Sequence, residues 1–212
     1  YLPDASGEYR NRDIYGGDLL GVLKKLPYLQ SLGVKTIYLS PIFEAWSNHK
    51  YNTADFETID AHFGNAEVLN RLCRAAAARG MRVILDGVFN HVGSDSVYFN
   101  REGRYPQPGA WQAHDSRYGK WFHFTGEKYD SWWGIKTLPA VDKNNADYRA
   151  FIAAVARRWM AQGVAGWRLD VADELPDDFL RGFYETVKQE KNDALILGEV
   201  WEDASNKIAY SV

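Results

Sequence analysis

Cysteine is almost missing from this chain. Its 212 residues hold one, Cys73, so no internal disulfide and no cysteine-rich metal framework can form. Within the helical pattern around it, Cys73 reads as a small buried hydrophobe. A strong excess of one charge is missing too. The net charge is −3, which leaves no basic footprint for nucleic acid. No apolar run is long enough to span a bilayer. Tyr1-Leu2-Pro3-Asp4 offers neither a charged n-region nor an apolar h-region, so no signal peptide is expected there; the compartment stays open. Nucleic-acid, membrane and disulfide-scaffold classes are thereby set aside.

What is present is a globular composition rich in aromatics, with eight Trp and thirteen Tyr, and a length that can bury one sizeable core plus a small insertion. Residues 1–17 read as loop. Leu19, Val22, Leu23, Leu26 and Leu29 then recur at helical spacing, with Asp18 as cap, Gly33 as stop and Pro27 predicting a kink or break. Thr36 to Leu39 reads as a buried strand, followed by a loop with Pro41, Trp46, His49 and Tyr51. Asn65 caps a helix with Val68, Leu69, Leu72 and Ala76, stopped by Gly80, and residues 82–85 form the next strand. Residues 92–144 are rich in Gly, Pro, Tyr, Trp and Asp and show no period. So long a structureless run inside a domain reads as an inserted subdomain. Asn145 or Asp147 opens a helix with Phe151, Ile152, Val155 and Trp159. Residues 164–169 form a strand, Phe179, Leu180, Phe183 and Val187 mark a helix, and residues 195–197 the last strand. Asp203 is read as the start of a further helix.

Strands alternating with helices mean a parallel sheet with right-handed crossovers. Four strands make either an open sheet or part of a (β/α)8 barrel, which needs eight. Both architectures place their chemistry at the carboxyl ends of the strands, and there the polar residues gather: Asp86-Gly87-Val88-Phe89-Asn90-His91, Gly166-Trp167-Arg168-Leu169-Asp170 and Gly198-Glu199-Val200-Trp201.

Strand alternation sets Arg168 and Asp170 on one side. A guanidinium there is expected to hold Asp170 ionised, as a nucleophile requires, although the pair reads equally as a structural ion pair. Glu199 ends the next strand. With neighbouring strands ~4.8 Å apart, the two carboxyls can reach the ~5–5.5 Å separation of a retaining glycosidase. Flanked by apolar residues, Glu199 is expected to have a raised pKa and to act as a general acid; the bland alternative is a strand-end Glu that meets solvent. Asp86, Asn90 and His91 suit either a metal or a sugar's hydroxyls. Tyr51, Trp46, Trp132, Trp133 and Trp201 offer flat rings for the apolar faces of sugars, or pack their own loops.

Together these segments, with Gly16-Gly17-Asp18-Leu19 and Ser131-Trp132-Trp133-Gly134, resemble glycoside hydrolase family 13, the α-amylase family, and within it the neopullulanase and cyclomaltodextrinase branch. The resemblance implies a partial (β/α)8 barrel of about four βα units, strands two to five, with a loop-rich subdomain inserted after the third barrel strand. The divisions would be residues 1–91 and 145–212 for the barrel and 92–144 for the insert. It implies Asp170 as nucleophile, Glu199 as acid and base, Arg168 orienting Asp170, and Asp86, His91 and Tyr51 holding the sugar, with Tyr51 beneath its ring and Trp132, Trp133 and Trp201 along the cleft. The substrate class would be starch-like α-glucans, maltooligosaccharides or cyclodextrins, cleaved with retention. A glucan transferase with the same intermediate, or a noncatalytic sugar-binding module, are the alternatives. No cofactor is implied; calcium near Asn90 is allowed by some relatives. Asn52 stands where the family usually has Asp, and Asp173 where this branch has Asn. The family's fourth signature, a late Asn-His-Asp, does not occur before Val212, so this stretch alone is expected to be weakly active or inactive. Open sheet edges are expected to favour self-association.

Overall fold

Four parallel strands lie side by side in chain order, and helices separate them in sequence. This is the arrangement of a computed structural model that describes residues 13–203. Most of the loop expected at residues 1–17, and whatever follows Asp203, lie outside the described residues. In chain order the elements are α1 (Leu19–Ser31), β1 (Thr36–Leu39), β2 (Phe43–Ala45), β3 (Thr53–Ile59), α2 (Ala66–Ala77), β4 (Arg82–Gly87), β5 (Phe124–Thr125), β6 (Lys128–Tyr129), α3 (Ala146–Met160), β7 (Gly166–Leu169), α4 (Asp177–Glu190) and β8 (Leu195–Gly198). The main sheet has the order β1-β4-β7-β8, all pairs parallel. Among the described residues no helix is long and apolar enough to cross a membrane.

The helix starts follow from side-chain caps. Asp18 accepts from the Gly21 N–H at 2.6 Å, Asn65 from Val68 at 3.0 Å, and Asn145 from Asp147 and Tyr148, both at 3.0 Å. Each satisfies amide donors that the first helical turn leaves unpaired. Of the kink or break expected at Pro27, the break does not occur: α1 continues through it. A proline removes one intrahelical bond, and Leu19 and Leu26, both buried, still hold this helix on the core.

One face of the sheet is the core. Val83, Leu85, Trp167 and Leu169 are 2 % exposed or less, and the aromatic rings of Phe43, Phe56, Phe89, Trp159 and Phe183 pack around Trp167. The opposite face carries Tyr38, Asp86, Arg168 and Leu197. Here the expectation for β1 fails. Ile37 alone of its four residues is buried, and Tyr38 stays 42 % exposed. Alternation turns Ile37 to the core and Tyr38 to the opposite face, the one that carries Asp86 and Arg168. Gly166 is where β7 and β8 approach most tightly: at φ +153, a Cβ there would sit 2.0 Å from the Leu195 carbonyl oxygen.

The stretch read as a loop after β1 contains an antiparallel hairpin, β2 with β3. Its residues Thr-Ala-Asp-Phe-Glu-Thr-Ile mix strand formers with Ala, Asp and Glu, which strands disfavour, so propensity hid it. Burial of Phe56 and the bond from the Trp159 indole to the Phe56 carbonyl, 2.9 Å, supply what propensity does not.

Residues 92–144 form short turns and the two-residue ladder β5–β6. Side chains hold them in place of long elements. Asn100 donates to the carbonyls of Tyr105 and Gln107 at 2.8 and 3.0 Å. Tyr98, Phe99, Trp121 and Phe122 are buried in the same cluster as the sheet's aromatics. Backbone bonds close the two ends of this stretch on each other just beyond β4: Val141 N–H to the Asn90 carbonyl at 3.2 Å, and Val92 N–H to the Pro139 carbonyl at 3.1 Å.

Candidate active site

Strand register builds the site. Asp86 is level with Arg168, and Arg168 with Leu197; one step on, Leu169 is level with Gly198. Asp170 and Glu199 are the next residues on their strands, so the backbone delivers both carboxylates to the same height. The ladder continues there: the Asp170 N–H reaches the Gly87 carbonyl at 3.1 Å and the Glu199 N–H the Leu169 carbonyl at 2.9 Å.

One guanidinium joins three acids. Arg168 Nη1 donates to both oxygens of Asp86, at 2.8 and 3.0 Å, and to Asp170 Oδ1 at 2.8 Å. Its Nη2 lies 2.6 Å from Glu199 Oε1. Tyr51 donates to Asp86 Oδ2 at 3.1 Å, and the Tyr38 hydroxyl binds the same oxygen. Asp86 is thereby fully enclosed, its side chain 0 % exposed. Burial raises its pKa, against the Tyr38 and Arg168 hydrogen bonds that lower it. Val171 follows Asp170 with φ +41, a left-handed conformation that a β-branched residue rarely adopts. That turn points the Val171 N–H at Glu199 Oε2, 3.2 Å away.

The electrostatics shift both members of the pair opposite to expectation. Burial, then the charge of Asp86, push Asp170 up to about 7, with Arg168 opposing. Arg168 was expected to hold Asp170 ionised, but its charge is shared with Asp86 and Glu199, and Asp170 is 6 % exposed. Glu199 was expected to be raised. Burial does act in that direction, but its side chain is 30 % exposed, and the Val171 N–H and Arg168 together hold it below the ordinary carboxylate range. Arg168 itself is raised: burial disfavours its charge, and the Asp86 bond and charge more than offset that.

The other expected residues gather around this cluster in varied ways. His91 is buried, its Nε2 3.1 Å from the Tyr51 carbonyl oxygen, and burial brings its pKa down to about 4, so the ring is neutral. It stacks on Trp132, centroids 5.0 Å apart, and Trp132 stacks on Trp133 at the same distance. Trp133 is 73 % and Trp201 75 % exposed. The Tyr51 hydroxyl is committed to Asp86, and its ring lies 5.9 Å from the Arg168 guanidinium. Trp46 has one face covered by the Arg104 guanidinium at 4.1 Å. Beside the Tyr51 loop opens a polar cavity of about 640 Å³ lined by Trp46, His49, Asn52, Asp95, Arg104 and Thr137. The Asn52 oxygen is taken by the Ser47 hydroxyl, and Asp173 accepts from the Trp201 N–H at 3.3 Å.

Asn90, expected near a metal, does not fit one. Its Oδ1 accepts from the Lys143 ammonium at 2.8 Å, and among the described residues no group of three or more His, Cys, Asp or Glu converges to hold an ion. Sequence reasoning passed over three residues that organise the site. Tyr38 was read as a buried strand residue, although its parity with the strand end places it on the face of Asp86. Glu174 accepts at Oε1 from both indoles, Trp132 at 3.1 Å and Trp133 at 3.0 Å. Lys143 is the third. No local signal marks Glu174 or Lys143, because their hydrogen-bond partners lie 41 to 84 residues away.

Known proteins resemble this chain in sequence and fold. The alpha amylase catalytic domain family matches residues 3–211. The amylopullulanase of Thermoanaerobacterium saccharolyticum is 41 % identical over 218 residues, covering 92 % of this chain and 17 % of that protein. The intracellular maltogenic amylase of Bacillus subtilis is 41 % identical over 209 residues, covering 96 % of this chain and 34 % of that one. Among solved structures, a cyclomaltodextrinase superposes with TM-score 0.84 at 35 % identity, over 98 % of this chain and 36 % of the other. The Arthrobacter globiformis cyclic alpha-maltosyl-(1→6)-maltose hydrolase, in complex with that cyclic sugar, gives 0.82 at 32 % identity, over 95 % and 48 %. The chain thus spans less than half the length of these relatives.

Proposed function

This chain belongs to the alpha amylase catalytic domain family, as a segment of its α/β barrel, and we propose on that premise that it carries the nucleophile and the general acid of a retaining α-glucan hydrolase. Residues 1–91 and 145–212 are barrel in this reading, and residues 92–144 an insert that walls the cleft. The observation that carries it is the register Leu169 to Gly198, which sets Asp170 and Glu199 level on adjacent strands beneath one guanidinium. Adjacent strands lie ~4.8 Å apart, which suits the ~5–5.5 Å of a retaining pair and leaves no room for the water of an inverting one.

Asp170 attacks the anomeric carbon while Glu199 gives its proton to the glycosidic oxygen. The bond to the leaving sugar breaks, and its electron pair stays on the protonated oxygen. Water, losing a proton to Glu199, then displaces Asp170 from the glycosyl ester. In the free site Asp170 is shifted up and Glu199 down, so Glu199 has to take up a proton before cleavage. Arg168 holds both carboxylates in place and balances the charge that returns to Asp170. Trp132, Trp133 and Trp201 offer faces to glucose rings. Starch-type oligosaccharides and cyclodextrins are the substrate class, in keeping with relatives named for maltogenic, cyclodextrin and pullulan chemistry. No step passes through a metal. Transfer to a second glucan, with a sugar hydroxyl in place of water, uses the same ester; the exposed Trp133 and Trp201 favour it as the second reading.

Incubating the full-length protein with a 5-fluoro-α-glucosyl fluoride, followed by peptide mass spectrometry, tests the reading. A glycosyl adduct on the peptide bearing Asp170 is expected. Turnover without any adduct, or with inverted product, would overturn it.

A further inference from the structure

The junction between the insert and the sheet is organised around an ammonium group. Lys143 lies just before α3 and donates from Nζ to Asn90 Oδ1 at 2.8 Å. Asn90 is 1 % exposed, and its Nδ2 donates to Glu174 Oε2 at 3.4 Å. The other oxygen of Glu174 receives both insert indoles, at 3.1 and 3.0 Å. Glu174, Asp142 and Asp130 all act on Lys143 as attracting charges, against burial, which lowers its pKa. Four separate segments therefore meet there: the end of β4, the insert, the start of α3 and the turn after β7.

We propose that the Lys143 ammonium is the structural cation of this junction, occupying the place a divalent ion would take and freeing the insert from any need for one. The carboxamide oxygen of Asn90, the atom that would ligate a metal, already accepts from a charged donor. A second cation beside this half-buried ammonium is repelled, the more so where the local dielectric is low. Calcium requires six to eight oxygens, whereas an ammonium is satisfied by three acceptors. The arrangement also explains why so irregular a segment seats firmly: its tryptophan pair, Glu174, Asn90 and Lys143 form one connected chain of charge-assisted hydrogen bonds.

Hydrogen–deuterium exchange of the full-length protein, read on peptides covering residues 90–144, tests the proposal locally, so that ions bound elsewhere do not confuse it. In the natural sequence, exchange of these peptides is expected to be the same in EDTA and in calcium. In Lys143→Met they should exchange on the order of tenfold faster, the loss of one charged hydrogen bond. Faster exchange of the natural protein in EDTA, reversed by calcium, would overturn the proposal, as would unchanged exchange in Lys143→Met. Should that variant fail to fold, the chelator comparison on the natural protein still decides. The outcome is independent of whether Asp170 forms a glycosyl ester.

Discussion

The end of the sheet and the insert beside it contain similar residues, yet they are held by different means. At the sheet end, backbone register does the positioning: Asp86, Arg168, Asp170 and Glu199 stand where parallel pairing puts them. In the insert, side chains hold the backbone, as when Asn100 gathers the carbonyls of Tyr105 and Gln107 or Glu174 gathers two indoles. The first design tolerates changes in its surroundings and fails if a central charge is lost. The second should loosen by degrees, one contact at a time.

The most severe test of that contrast is Arg168. Replacing it with Met leaves Asp86, Asp170 and Glu199 facing one another without a counter-charge. Breaking a buried pair from one side costs about 3–5 kcal/mol, and chemical denaturation should find a loss of that size together with near-complete loss of glucan cleavage in the full-length protein. Lysine at 168 keeps the charge but presents no fork, so it should recover part of the stability and little of the activity. If the Met variant were as stable as the parent, the three carboxylates would not depend on the guanidinium, and register alone would be enough.

Second in size is the pH dependence of stability. Asp170 is raised to about 7 in the folded state, above its ordinary value, so between those two values the folded protein binds a proton that the unfolded chain releases. Its stability contribution is therefore full at low pH and lost as pH rises through 7. Glu199, held low, acts the other way: its contribution is present above the ordinary glutamate range and lost as pH falls through its lowered pKa. Asp170→Asn should accordingly match the parent near pH 4 and melt higher than it at pH 8, while glucan cleavage disappears. A variant that melts lower than the parent at pH 8 would mean that Asp170 is ionised at no cost.

Glu174 carries the third prediction, on the insert side. Leucine there strands two indole N–H groups and releases the Trp132–Trp133 stack. Affinity for maltooligosaccharides should fall by roughly 3–10-fold, since base-like stacking faces persist while their orientation is lost. Near-UV circular dichroism should change with it. A changed spectrum with unchanged affinity would remove the tryptophan pair from the cleft.

How much of this was legible depends on which of the two designs a residue belongs to. The four strands, their helices and the carboxylates at their ends could be read because period, caps and alternation are local signals: Asn65, Asn145 and the run before Asp170 speak for themselves. Asp170 and Glu199 were read at adjacent strand ends, where register sets them level, but their shifts run opposite to those expected, since these depend on Asp86, 84 positions before Asp170, claiming a share of Arg168. The β2–β3 hairpin was missed because Phe56 earns its strand through tertiary burial, not through its neighbours. Lys143 and Glu174 were invisible for a related reason: neither sits in a pattern, and each acquires its role from a partner in another segment.

The smallest effects sharpen the contrast best. Asn65 and Asn145 are both helix N-caps, and their Oδ1 atoms accept similar backbone bonds. Asn65 caps α2 and is partnered in no other way by the insert. Asn145 caps α3 and also donates from Nδ2 to the Lys120 carbonyl inside the insert, at 2.9 Å. Asn65→Ala should cost about 1 kcal/mol, the ordinary value of a cap. Asn145→Ala should cost that plus about 0.5–1.5 kcal/mol for the second bond. Asn145→Asp keeps the cap and abolishes the second bond, so it should lie between the parent and Asn145→Ala. Equal losses for the two alanine variants would mean that the insert rests on its aromatic core alone, and that its side-chain bonds to the barrel add specificity of position without stability.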